Sequence, residues 1–203
     1  MVGLAARGWS DLPERLRATI QYADVLLGSR RLIDLIPPFP AQQRLPWPSP
    51  LREALPMLLK EISGHRVVAL ASGDPLLAGI GSTLVEILGT AEVRIHPAVS
   101  SAALARARMG WPEESTQLVR LRGGDVDAVR RFLFPDRRLI ILSSNAGSMY
   151  RSRAHMTRGW PLGTTSSPII SSSNSFSPGR RPTNLISMSP AIAVSVFSVK
   201  PDK

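Results

Sequence analysis

The chain has 203 residues, 43% of them hydrophobic, no cysteine, and a formal net charge of +10. That length builds one large domain or two small ones with a real core. No apolar run approaches the roughly 20 residues that span a bilayer, and without cysteine there are no disulfides, zinc–thiolate sites or thiol nucleophiles. The start of the chain lacks the basic-then-apolar pattern of a secretory signal, so a cytoplasmic protein is expected. The positive charge favours anionic partners in general, but it is unevenly spread. Residues 145–203 carry Arg151, Arg153, Arg158, Arg180, Arg181, Lys200 and Lys203 against Asp202 alone, a net of +6.

Val2-Gly3-Leu4 predicts a very short first strand that ends in a small-residue loop through Gly8-Trp9. Asp11 reads as a helix cap, with Pro13 in the first turn and Glu14 three residues on, and the helix should run to about Tyr22. Gly3 and Gly8 hint at a phosphate-type loop but do not match the dinucleotide fingerprint. Residues 24–28 predict a second buried strand. Arg30 and Arg31 follow it; such a pair can grip carboxylates bidentately or simply open a solvated helix. Six prolines from Pro37 to Pro50 make a rigid surface connection. Residues 51–62 resume a helical period, with Leu51, Leu55, Leu58, Leu59 and Ile62 on one face.

The chain is organised around residues 66–84. Val67, Val68, Ala69 and Leu70 suit a strand buried on both faces. It stops at Ser72-Gly73-Asp74-Pro75, where Gly73 permits close backbone approach and Pro75 forbids continuation. Asp74 is thereby left at the carboxyl end of a strand, where open α/β sheets bind ligands. Taken alone, the segment is also compatible with a tight structural turn. Gly79 and Gly81 lead into an apolar helix over residues 82–88.

Residues 91–96 alternate like a strand, ending at Pro97-Ala98-Val99-Ser100-Ser101 and a helix over 102–109. His96, alone at a strand end, reads as structural before catalytic. Ser100 and Ser101 can cap that helix or hold a polar ligand. Residues 117–121, 125–134 and 138–143 then predict strand, helix and strand. Alternation of this kind marks an α/β protein. Past Asn145 the pattern breaks. Ser171-Ser172-Ser173-Asn174-Ser175 is low in complexity, and only the apolar residues within 191–199 predict a strand.

Several of these segments together resemble the tetrapyrrole (corrin/porphyrin) methyltransferases, in the branch acting at C5 of precorrin-6Y or cobalt-precorrin-7. The residues that carry the resemblance are Val2-Gly3 with Gly8-Trp9, Ala23 to Gly28 with Arg30-Arg31, Ala71-Ser72-Gly73-Asp74-Pro75 with Gly79-Ile80-Gly81, and Pro97 to Ser101 continuing through Ala105-Arg106-Ala107-Arg108-Met109-Gly110-Trp111-Pro112. Order and spacing fit across residues 1–144.

The resemblance implies a two-domain α/β tetrapyrrole methylase fold, each domain a central sheet flanked by helices, with S-adenosylmethionine bound between them. It divides the chain into an N-terminal domain at residues 1–96, the start of a C-terminal domain at 97–144, and an atypical Ser/Pro/Arg-rich tail at 145–203. By position, Ala6, Ser72, Gly73, Asp74, Leu77, Ser100 and Ser101 match donor-binding positions; no metal and no particular catalytic residue is implied. It further implies an anionic corrin-type substrate, a partner or fused domain for reaction at C15 with decarboxylation, and a homodimer. Arg30, Arg31, Arg106 and Arg108 are candidates for the substrate's carboxylates.

Three departures accompany the match. Ala5 replaces a usual glycine, Arg122-Gly123 stands where histidine-glycine is common, and the likeness stops near Asn145. An incomplete or aberrant second domain is therefore expected, and the tail has the composition of a shifted reading frame in a GC-rich gene. Three other readings remain: an inactive remnant of such an enzyme, a basic nucleic-acid-binding module, and an enzyme of the same fold acting on another tetrapyrrole, an RNA ribose or a protein side chain. The second lacks aromatic interleaving or a recognised motif.

Overall fold

The computed structural model describes residues 1–121, 129, 131, 132, 134, 137–143, 165–169 and 193–198. The chain forms two compact units, Met1–Ser100 and Ser101–Lys203.

The first unit is built on a four-stranded sheet of order β1-β4-β2-β3. Its strands are β1 (Val2–Leu4), β2 (Val25–Gly28), β3 (Gln43–Pro46) and β4 (Val67–Ser72). Every pairing in it is parallel, with Leu4 level with Ser72, Leu27 with Ala69, and Gly28 with Pro46. The apolar runs explain the burial. Successive side chains point to opposite faces, so Leu26, Val68 and Leu70 enter one core while Val25, Leu27 and Ala69 enter another. Leu16 and Ile20 of α1 (Glu14–Gln21) and Leu32 and Ile33 of α2 (Arg30–Asp34) complete the first core. Leu55 of α3 (Leu51–Glu61) and Leu84 of α4 (Gly81–Leu88) complete the second. The expected face of α3 is the one that packs: Leu55 and Ile62 are buried, and Leu58 and Leu59 lie against them.

Three expectations are corrected. Asp11 does not cap α1. It closes a short 3-10 helix (Gly8–Asp11) and accepts from Arg7 Nε at 2.8 Å, while Pro13 stands at the cap of α1. The proline-rich connection contains β3, an edge strand whose half-exposed polar residues lack the apolar signature of its neighbours. Residues 91–96 form no ladder; they contribute one parallel bridge between His96 and Val2.

The second unit holds a mixed four-stranded sheet of order β5-β6-β8-β7. β5 (Thr116–Leu121) and β6 (Arg138–Ser143) are parallel. β8 (Ala193–Ser198) runs antiparallel to β6, and β7 (Thr165–Ile169) antiparallel to β8. β8 falls within the strand read at 191–199; β7 had no counterpart in the reading of the tail. Helix α5 (Ser101–Met109) packs on β6 and β8. Most of the helix expected over 125–134, with Arg122-Gly123, lies outside the described residues. Among the described residues no helix is long and apolar enough to cross a membrane.

Candidate functional site

Because the four strands of the first sheet run the same way, the loops that leave them converge on one edge. There the chain carries Ala5-Ala6 after β1, Ser29-Arg30-Arg31 after β2, Trp47 after β3 and Gly73-Asp74 after β4. Trp47 is tied back by its amide to Gly28 O at 2.9 Å. Such an edge is where open α/β sheets place ligands.

Main-chain hydrogen bonds hold Gly73 in place. Gly73 N donates to Leu4 O at 2.8 Å, and Ala98 N donates to Gly73 O at 3.2 Å. The segment after His96 therefore runs along the same edge, with His96 N donating to Met1 O and Gly3 N to His96 O. Gly73 has φ +63°, and a Cβ there would come within 3.1 Å of both Ser100 Cα and Val99 O. The left-handed conformation favours glycine, and the tight space beside Ser100 and Val99 adds to that preference.

Beyond Gly73 the Asp74 carboxylate accepts from Leu76 N at 2.9 Å, while Leu77 N donates to Asp74 O at 3.1 Å. This is an Asx-type turn, which fixes the carboxylate's direction and uses one of its oxygens. Ser72 and Ala6 are exposed, Asp74, Leu77 and Ser100 half-buried, and Gly73 buried. The structure thus places Ser72, Gly73, Asp74 and Leu77 on one loop, with Ser100 on a separate segment against Gly73 and Ala6 on the neighbouring loop of the same edge. Ser101 follows Ser100 directly and opens α5.

The donor set suits a polar, cationic small molecule: an oriented carboxylate, the exposed Ser72 hydroxyl and strand-end backbone. Among the described residues no three His, Asp or Glu side chains cluster to hold a metal ion.

Other candidates separate. Arg106 is committed to Glu113 at 2.7 Å. Arg108 is exposed on α5. His96 is held below its ordinary pKa, first by burial and then by the terminal amine, Arg15 and Arg94 nearby. At neutral pH it is an uncharged structural residue whose backbone, not its ring, serves the edge. Sequence reasoning missed the role of Gly3, which sits against Gly73 O and Ala98 N. A glycine inside a strand is the signal for such close backbone approach.

Comparison with known proteins agrees with this architecture. The chain is 40% identical over 121 residues to a precorrin-6Y C(5,15)-methyltransferase (decarboxylating) of Mycobacterium tuberculosis, covering 60% of this chain and 30% of that protein. It is 34% identical over 145 residues to its namesake from a Sinorhizobium species, covering 71% and 35%. Against a cobalt-precorrin-7 C(5)-methyltransferase of Salmonella typhimurium it is 33% identical over 113 residues, covering 54% of each. The chain therefore spans about a third to a half of the length of these curated relatives.

Among solved structures, a cobalamin biosynthesis precorrin-6Y methylase from Archaeoglobus fulgidus superposes with a TM-score of 0.62 at 21% identity, covering 99% of this chain and 97% of that one. A uroporphyrin-III C-methyltransferase from Thermus thermophilus, complexed with S-adenosylhomocysteine, gives 0.61 at 19% identity, covering 97% and 96%. The profile of the family described as Tetrapyrrole (Corrin/Porphyrin) Methylases matches residues 1–155. On that match, over parallel strands and a Gly-Asp-Pro edge laid out as described, the chain belongs to the tetrapyrrole methylase family.

Proposed function

We propose that the protein is an S-adenosylmethionine-dependent C-methyltransferase of cobalamin biosynthesis, acting at C5 of a precorrin-type macrocycle. The observation that carries the reading is the interlocked edge of the first sheet, where Gly3, Gly73 and Ala98 fix the backbone that presents Ser72 and Asp74. The names of the relatives supply the substrate class, and their C(5,15) activity suggests that a partner or a fused domain performs the C15 reaction. A cytoplasmic homodimer completes the proposal.

The donor supplies an already activated methyl carbon, so the protein needs neither a metal nor a covalent intermediate. Asp74, its direction fixed by the Leu76 amide, orients the donor and favours its positive charge. Ser72, Leu77, Ala6, Ser100 and Ser101 hold its remaining parts. The main chain at Gly73 is tied to Leu4 and Ala98, and a fixed backbone of this kind serves alignment. Well-oriented reactants reach effective molarities of about 10⁵ M or more.

A second reading is favoured by the tail. The family profile ends at residue 155, and beyond it the composition turns to Ser, Pro and Arg. On this reading the chain is an inactive remnant whose first unit remains intact.

Calorimetric titration with S-adenosylhomocysteine, on the wild type and on Asp74→Ala, tests the donor site. Saturable binding that the variant weakens supports it. A folded wild-type protein that binds none sinks the enzyme reading and leaves the remnant.

A further inference from the structure

Three arginines follow the first two strands of the first sheet, Arg7 after β1 and Arg30 and Arg31 at the start of α2 after β2, and the structure treats them differently. Arg7 is neutralised by Asp11 at 2.8 Å. Arg30 is exposed to solvent. Arg31, on α2, is partly buried, and burial pulls its guanidinium below its ordinary pKa. No carboxylate among the described residues comes within ion-pair distance of Arg31, Asp34 one turn on included.

A guanidinium that loses water without gaining an anion is costly to the fold. The local sequence nevertheless holds it there. Ser29 caps α2 by accepting from Leu32 N, and Leu32 and Ile33 anchor the helix in the core behind the edge. α2 packs on β2, β3 and β4, so the backbone that carries Arg31 is fixed at this place. Its planar fork of donors matches a carboxylate bidentately.

We propose that Arg31 binds a peripheral carboxylate of the acceptor macrocycle and thereby selects carboxylate-bearing rings over esterified or neutral ones. Arg30 adds only a screened, outer attraction. The assignment rests on the methyltransferase reading for the identity of the acceptor, and on the unpaired, half-buried guanidinium for the site itself.

The test titrates the full chain with uroporphyrin, an octacarboxylate porphyrin used as probe, following its fluorescence at two salt concentrations. Arg31→Gln is expected to weaken binding by about tenfold or more and to flatten the salt dependence. Arg31→Lys should restore part of the loss. Arg30→Gln should change affinity by less than about threefold. S-adenosylhomocysteine affinity, measured by calorimetry, should be the same in all four proteins. Equal losses in Arg31→Gln and Arg30→Gln, or a parallel fall in S-adenosylhomocysteine affinity, overturn the proposal, as does a wild type that ignores the porphyrin. Arg31-dependent porphyrin binding without any S-adenosylhomocysteine binding sinks the methyltransferase reading and leaves this one standing.

Discussion

A Cβ placed on Gly3 would lie 1.9 Å from the carbonyl oxygen of Gly73 and 2.8 Å from the amide nitrogen of Ala98. Both obstacles are backbone, and both belong to the hydrogen bonds that shape the edge. No side-chain rotation relieves the clash. Gly3→Ala should therefore destabilise the first unit by about 3 kcal/mol or more, at the upper end of overpacking penalties. Urea denaturation reads this directly, and an unchanged midpoint would refute the close approach.

Leu55 and Met57 separate packing from mere presence on α3. Leu55 is fully buried between the sheet and α4, whereas Met57 is 65% exposed. Leu55→Ala is expected to cost about 2–5 kcal/mol, and Met57→Ala to stay within about 0.5 kcal/mol. Similar midpoint shifts for the two would contradict the assigned helix face.

Asp24 and Arg66 make the acid-sensitive contact at the opposite edge of the first sheet. Arg66 donates to the carboxylate from Nε at 3.1 Å, from Nη2 at 2.7 Å and from its backbone amide at 2.8 Å. The Arg66 side-chain bond, then its amide, hold Asp24 down to about 2 from an ordinary 3.8. A carboxylate depressed on folding stabilises above its unfolded pKa and loses that contribution as pH falls through its folded one. Asp24→Asn should be less stable than wild type at neutral pH, with the gap closing between about pH 4 and about pH 2. The pair is solvent-exposed, so the gap should be small and should shrink with salt. A gap that widens on acidification would be the wrong sign.

The strands buried on both faces were legible in the sequence, because residues 25–28, 67–70 and 139–142 are apolar without interruption. So was the Asp74 loop, since Gly-Asp-Pro after such a run leaves few backbone options. β3 was not legible. It lies at the sheet edge among prolines, paired with β2, and brings only Leu45 to the core, too little to make an apolar pattern. Residues 91–96 failed in the other direction: alternation was present, but Val2 offers them only a single bridge. Asp11 was misread because a capping residue and an ion-pair partner look alike until Arg7 is placed beside it. At the site, Asp74 was visible as a residue type, whereas the lock between Gly3 and Gly73 is a long-range backbone contact that no local pattern announces.

The most direct test of the central claim is methyl transfer itself. The purified chain would be incubated with S-adenosylmethionine carrying a deuterated methyl group and with a precorrin-type acceptor, and the macrocycle analysed by mass spectrometry. The account predicts one labelled methyl on the ring, with S-adenosylhomocysteine formed in equal amount, and loss of both in Asp74→Ala. A folded chain that binds S-adenosylhomocysteine yet leaves every such acceptor unlabelled would contradict the enzyme and favour the remnant.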